Sequence, residues 1–136
     1  MTDMTSAASR RDRTALAGWA LSALFAAFML GASALPKLTG MPVAAETMAD
    51  LGWPDAPVFS IGAMEAAFTL LFLWPPTALL GAALMMGILG GAMATQIRAD
   101  APLVSHALFS VYLGAAMWGG LWLREPRLRA LLGRRA

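Results

Sequence analysis

Four apolar segments dominate the sequence and limit what the chain can fold into. They cover residues 15–35, 58–74, 77–96 and 103–123, and Glu65 is the one Asp, Glu, Lys or Arg within them. Each segment is close to the roughly 20 residues that a helix needs to cross about 30 Å of hydrocarbon. Since lipid offers no hydrogen-bond partners to the backbone, such segments fold as helices. The sequence therefore predicts an all-α fold, an integral membrane four-helix bundle.

The composition agrees with a lipid bilayer as the surroundings of these segments. Of the 136 residues, 59% are hydrophobic and 13% are charged, which leaves too little polar surface for a soluble domain. A buried soluble bundle would need polar helix faces, and these are mostly absent. A cleaved signal peptide ending near residues 32–34 is the alternative for the first segment. That segment is longer than the usual apolar core of a signal peptide, which favours a retained span.

The basic residues indicate how the chain is oriented. Eight of the ten Lys and Arg lie in the two ends of the chain, residues 1–14 and 124–136. This distribution follows the positive-inside rule and predicts a flexible cytoplasmic tail, a four-span bundle over residues 15–123 and a basic cytoplasmic tail. It predicts that both termini are cytoplasmic. It also explains the high isoelectric point without nucleic acid as a partner.

The connection between the first two segments has the pattern of a short helix. Pro42 suits a helix start and Gly52 suits a C-terminal cap. Four larger residues between them share one helical face: Val43, Thr47, Met48 and Leu51. We therefore expect a short extracytoplasmic amphipathic helix between the first and second spans. It could cover the bundle as a lid or serve only as a tether.

Small residues recur at intervals of four in every apolar segment. The clearest rows are Ala23, Ala27 and Gly31 in the first segment and Ala83, Gly87 and Gly91 in the third. Small faces allow membrane helices to approach closely, because lipid tails give little hydrophobic drive to association. The rows together predict a compact bundle.

Glu65 is the residue that needs a special explanation. An ionised carboxylate facing hydrocarbon costs at least about 2.5 kcal/mol, so Glu65 is expected to face the bundle, to be paired or to be protonated. Basic residues lie at the predicted outer ends of the other three segments: Lys37, Arg98 and His106. Helical spacing puts small and polar residues on shared faces, among them Gly62 with Glu65, Gly91 with Thr95, and Ser33 with Lys37. These faces predict a polar pocket around Glu65 that opens to the outer surface.

The predicted site residues, for ligand binding or proton handling, are Glu65, Lys37, Arg98, His106, Thr95, Gly62 and Gly91. Two interpretations of Glu65 stay open at this point: a pair with Lys37 or Arg98 that only fixes packing, or a pocket that binds a head group or passes a proton. One histidine and few acids give little basis for a metal site. The absence of cysteine excludes a thiol–disulfide relay and a cysteine-ligated iron–sulfur cluster within this chain.

Several short motifs resemble those of the DoxX-like family of small bacterial membrane proteins. They are Gly62-x-x-Glu65, Leu89-Gly90-Gly91-Ala92 followed by Thr95 and Arg98, and Trp122-Leu123-Arg124-x-Pro126, with Lys37 and the Leu51–Pro54 segment upstream. The resemblance extends over nearly everything after about Gly31. It implies a four-helix membrane bundle, and some relatives look like membrane subunits of quinone-linked sulfur-oxidising complexes or partners of redox-defence enzymes.

The resemblance and the polar faces together predict the function. We expect a non-catalytic membrane subunit or partner of a redox complex, with a pocket for a quinone-like or other lipophilic ligand around Glu65. No catalytic residue and no certain cofactor is predicted, and quinone is the one cofactor considered. A small proton-coupled transporter, acting as a homo-oligomer, and a purely structural membrane scaffold are the alternatives.

Overall fold

All regular structure in the described part of the chain is helical. A computed structural model describes residues 2–133, and no β-strand occurs among them. The α-helices are α1 (Thr2–Ala27), α2 (Leu35–Leu38), α3 (Pro42–Asp50), α4 (Val58–Leu73), α5 (Ala78–Arg98), α6 (Phe109–Arg124) and α7 (Pro126–Gly133). Two π-helical segments, Phe28–Ala34 and Leu103–Ala107, and a 3-10 turn, Pro75–Thr77, join some of them. The all-α prediction is confirmed.

Within residues 2–133, three helical stretches are long and apolar enough to cross a membrane. They are Asp3–Leu38, in which α1 continues through the π-helical segment into α2, Pro75–Arg98 and Leu103–Arg124. The fourth apolar helix, α4, has 16 residues and a length of about 24 Å, which is short for a membrane span. These helices fit a membrane helical bundle. The count of four crossings stays a prediction.

The ends of the chain carry helix where the sequence suggests tails. Helix α1 begins at Thr2, and the side chains of residues 3–13 are exposed. After α6, the backbone turns at Glu125 and continues as α7. The polar and basic residues of both ends can be helical because exposed charged side chains do not oppose helix formation. Their flexibility and their cytoplasmic location stay predictions.

The four long helices surround one hydrophobic core. Helix α1 packs mainly against α6, α4 packs against α5, and α5 also contacts α6, while the end of the first stretch packs on α4. The core residues are Phe25, Met29, Phe72, Ala78, Ala82, Met85, Leu89, Met117 and Leu121. Phe25 and Phe72 meet edge to face with ring centroids 5.4 Å apart, an arrangement that aromatic pairs prefer.

A close helix contact joins α1 to α6 through small residues. A Cβ added to Gly18 would lie 2.5 Å from the backbone nitrogen of Arg124, and one added to Gly120 would lie 2.6 Å from Oγ of Ser22. The predicted close packing is present, but the row Ala23, Ala27 and Gly31 does not make it, since all three are exposed. An alanine-rich helix offers several small faces, and periodicity does not say which one is buried.

Helix α3 begins and ends where the sequence predicts. Pro42 occupies its first turn, where the missing N–H costs nothing. At the other end, the N–H of Gly52 donates to the Ala49 carbonyl at 2.9 Å and that of Trp53 to the Met48 carbonyl at 2.8 Å. Gly52 has a φ of +81°, as this Schellman cap requires. The location of α3 outside the cytoplasm stays a prediction.

Substitution of Gly18 tests the α1–α6 contact. We expect Gly18→Ala to lower the free energy of unfolding by about 2 kcal/mol, because the new methyl group meets backbone atoms that cannot move independently. The matched control is Gly31→Ala on the same helical stretch, where an added Cβ has no atom within 4 Å. Thermal unfolding of the purified protein in detergent measures both. Equal melting temperatures for the two variants would contradict the assignment of this contact.

Candidate functional site

A buried ion pair links the end of the first helical stretch to α4. Nζ of Lys37, on α2, lies 3.1 Å from Oε1 and 3.1 Å from Oε2 of Glu65, so it contacts both carboxylate oxygens. The side chains are 14% and 6% exposed, respectively. Burial strengthens the attraction between the charges, because water screens them little. The pair therefore allows a carboxylate to remain inside the bundle.

Ser33 completes the hydrogen bonds of this pair. Its hydroxyl donates to Oε2 of Glu65 at 3.0 Å and accepts from Nζ of Lys37 at 2.9 Å. The ammonium group also lies 3.0 Å from the backbone carbonyl of Ser33. Because an ammonium group has three hydrogens, these contacts use its whole donor capacity. We call the three residues Ser33, Lys37 and Glu65 the ion-pair cluster.

Local backbone geometry brings the cluster together. Ser33 and Lys37 are four residues apart, so they lie on one face of the helical stretch that ends at Leu38. Gly62 lies one turn before Glu65, and a Cβ there would be 2.7 Å from Cβ of Lys37. Only glycine lets the two helices approach so closely. On the next turn, the buried hydroxyl of Thr69 donates to the backbone carbonyl of Glu65 at 2.7 Å.

A cavity of about 450 Å³ lies beside the ion-pair cluster. It is enclosed by the end of the first helical stretch, α3, α4 and α5. Most of its lining is apolar or small, and its polar members are Ser33, Lys37, Thr47, Glu65, Thr95 and Gln96. Among the predicted site residues, Gly91 and Thr95 line it from α5 together with Lys37 and Glu65. Exposed residues of the lining lie on both α3 and α5, for example Val43 and Gly91, so the cavity is open to the surface on these sides.

Arg98 is near the cavity but does not pair with Glu65. Its guanidinium group donates to the backbone carbonyl of Leu51 at 3.1 Å and lies 3.5 Å from that of Gly52. These carbonyls lie at the C-terminal end of α3, where the helix dipole favours a nearby positive charge. Arg98 therefore holds the end of α3 against α5, over the cavity, instead of neutralising the buried acid.

His106 also lies away from the ion-pair cluster. It is exposed in the π-helical segment before α6, and its Nδ1 is 2.8 Å from the hydroxyl of Ser105. It is not among the cavity-lining residues. Of the three basic residues expected near Glu65, the described structure thus brings Lys37 to the carboxylate. Whether any of the predicted residues binds a ligand or handles protons stays a prediction.

Three polar residues of the cavity lining lie outside the set predicted from the sequence: Ser33, Thr47 and Gln96. Ser33 has a detectable signal, since it shares a helical face with Lys37. Gln96 has none, because it lies one position away from Thr95 and off the face that contains Gly91. The amide oxygen of Gln96 is buried and has no hydrogen-bond partner among the described residues. This unpaired acceptor matters because buried polar atoms are usually satisfied.

A second buried cation lies far along α4 from Glu65. Arg124 is 8% exposed, and its guanidinium carbon is 4.2 Å from the ring centre of Trp19 and 4.5 Å from that of Phe72. It also donates a hydrogen bond to the backbone carbonyl of Phe72. The sequence interpretation groups Arg124 with the basic tail, whereas here it packs α6 against α1 and α4. Stacking on two aromatic faces suits guanidinium because it is weakly hydrated.

The apolar helical stretches and the fold place the chain in the class of multi-pass membrane proteins. Comparison with known families then gives a more specific assignment: the model of the DoxX-like family matches residues 20–120. The chain belongs to the DoxX-like family. A search of curated proteins found no match, and neither did a search of solved structures. The matched region includes the ion-pair cluster and all the residues that line the cavity.

A double-mutant cycle tests how strongly the ion pair is coupled. We expect Lys37→Met and Glu65→Leu each to lower the free energy of unfolding by about 3 kcal/mol, because each leaves one buried charge without its partner. The free energy of unfolding of the double variant should fall by clearly less than the sum of the two single losses, because no unpaired charge remains. Chemical unfolding in mixed micelles measures all four proteins. Strictly additive losses would show that the two charges are not coupled.

The role assigned to Arg98 predicts a local effect. In Arg98→Gln, amides in the last turn of α3 should exchange with solvent about fivefold faster, as expected for about 1 kcal/mol lost from a part-exposed charged hydrogen bond. Core amides of α5 should be unchanged. Hydrogen–deuterium exchange with mass spectrometry measures this, with Arg127→Gln as the exposed-arginine control. Unchanged exchange in α3 would mean that Arg98 does not hold this helix.

Proposed function

We propose that the protein is a non-catalytic subunit or partner of a membrane redox complex and binds a quinone-like or other small lipophilic ligand in the cavity beside Glu65. In this proposal the chain crosses a bacterial inner membrane four times, with both termini cytoplasmic. Helix α3 then lies on the extracytoplasmic side, and the ligand enters past it. Membership of the DoxX-like family supports the proposal, because the resemblance of the motifs implies redox-linked relatives.

The cavity is the observation that carries this proposal. Its volume of about 450 Å³ is within the range of small-molecule sites, roughly 300–1,000 Å³. Such sites combine a mainly apolar lining with a few placed polar groups. Here the apolar part comes from α3 and α5, for example Met48 and Ile88, and the polar part comes from the ion-pair cluster with Thr95 and Gln96. A lipophilic molecule with a small polar head group fits this lining, with its apolar part against α3 and α5 and its head group near the polar residues.

The ion-pair cluster supports binding in preference to catalysis by this chain alone. Each of its donors is already engaged, so no side chain is poised as a free acid or as a free nucleophile. The chain has no cysteine to carry electrons through a disulfide or a cysteine-ligated cluster. A redox reaction at this ligand would therefore take place on a partner protein. The chain would position the ligand for it.

Filling the cavity tests the proposal. Lipid extraction and mass spectrometry of the protein purified from its native membrane should detect a bound quinone or similar molecule. In Gly91→Leu, whose side chain would enter the cavity, retention should fall by at least about tenfold, the effect of 1.4 kcal/mol. Gly90→Leu is the matched control: Gly90 is adjacent on α5, is also free of atoms within 4 Å of an added Cβ, and does not line the cavity.

Three results would count against the proposal. The protein could retain no lipophilic molecule and no partner, which would favour the purely structural scaffold. Retention could be equal in the two leucine variants, which would place the ligand elsewhere. Alternatively, reconstituted vesicles could show proton-coupled flux that Glu65→Gln abolishes, which would favour the transporter. Melting temperatures of both leucine variants should be compared first, so that loss of the fold is not mistaken for loss of the site.

A further inference from the structure

The hydrogen-bond donors that line the cavity are almost all in use within the protein. The ammonium group of Lys37 has three hydrogens and lies within 3.1 Å of four acceptor atoms in Ser33 and Glu65. The Ser33 hydroxyl donates to Glu65. The hydroxyls of Thr47 and Thr95 each donate to the carbonyl four residues earlier, at 2.7 and 2.8 Å. A ligand therefore finds few free donors on the cavity wall.

Acceptors on the same wall are still free. An ionised carboxylate can accept about four hydrogen bonds. The described bonds to Glu65 supply one to Oε1 and two to Oε2, so Oε1 can accept another. The threonine oxygens keep lone pairs after donating, whereas the unpaired amide oxygen of Gln96 is buried, out of reach of a ligand in the cavity. The donors that remain are the Gln96 amide and the indole of Trp53, and Trp53 is 42% exposed at the open side.

The charges that line the cavity cancel. Lys37 and Glu65 are the charged residues of the lining, and they neutralise each other at 3.1 Å. Arg98 is engaged with the carbonyls at the end of α3. A charged ligand would thus lose its hydration without gaining an unpaired opposite charge, and the cost of that desolvation is large. An uncharged ligand avoids this cost.

We infer that the cavity selects an uncharged ligand whose head group donates hydrogen bonds, such as a phenol or a hydroquinone, over a head group that can only accept them. The inference rests on the proposed function, because it names the chemistry of the ligand at the same cavity. It follows because oxygens of Glu65 and Thr95 can still accept hydrogen bonds, whereas nearly all the donors that line the cavity are occupied. Applied to quinones, it means that the reduced form binds more tightly than the oxidised form.

Three probes of similar size test this preference on the full-length protein in detergent. They are 4-nonylphenol, its methyl ether 4-nonylanisole, and 4-nonylbenzoate as an anion, with binding measured by native mass spectrometry. The phenol should bind about fivefold more tightly than the ether, the gain expected for one net hydrogen bond, and the benzoate least. Equal binding of phenol and ether would overturn the inference and leave the proposed function standing. Binding of none of the three would overturn both.

Substitutions of residues that line the cavity show whether the phenol binds by donating a hydrogen bond to the protein or through a general affinity for phenols. Thr95→Val keeps the shape of the side chain and removes its oxygen, and the double variant Lys37→Met with Glu65→Leu removes the carboxylate together with its counterion. At least one of them should bring the phenol-to-ether ratio close to one while binding of the ether is unchanged. Thr39→Val is the control, because Thr39 makes the same bond to the carbonyl four residues earlier but does not line the cavity. An unchanged ratio in both wall variants would overturn the inference.

Discussion

The structure depends on how one buried carboxylate is neutralised. Glu65 is 5% exposed, so its charge can persist only with a close partner, and Lys37 supplies it from another helix. That requirement places α2 against α4, and the approach is possible because Gly62 has no side chain. Ser33 then has to lie one turn before Lys37 to occupy the remaining donors and acceptors. The charge, the glycine and the serine are thus parts of one arrangement, and a change in any of them affects the others.

The same physical requirement recurs at the far end of α4. Arg124 is buried like Glu65, but its charge is met by the faces of Trp19 and Phe72 and by a backbone carbonyl rather than by an acid. Aromatic faces and carbonyl dipoles can stabilise a guanidinium group that water does not reach. Helix α4 is therefore held by cations from two other helices. Burial of hydrophobic side chains alone would fix its position and rotation less strictly.

Much of the fold could be predicted from the sequence, because hydrophobic length and caps are local signals. The expected segments 58–74 and 77–96 correspond closely to Val58–Leu73 and Ala78–Arg98, and the start and cap of α3 are as expected. The site was predictable in part: the acid and the lysine could be paired by charge. Three features could not be predicted, because they depend on how the helices pack and leave no periodic pattern in the sequence. They are the hydrogen bonds from Arg98 to backbone carbonyls, the burial of Arg124 and the place of Gln96 in the cavity lining.

The closed hydrogen bonding of the ion-pair cluster also bears on the choice between binding and transport. A carboxylate that carries protons has to exchange partners during each cycle, which here means separating it from Lys37. When Glu65 takes up a proton it becomes neutral, and Lys37 is then left as a charge without its counterion, at a cost of about 3 kcal/mol or more. Arg98 is not available as a second basic partner for Glu65, because its guanidinium group is bound to the end of α3. An ion pair that stays closed and presents its free oxygen to a neighbouring cavity is better suited to holding a neutral ligand than to moving a proton.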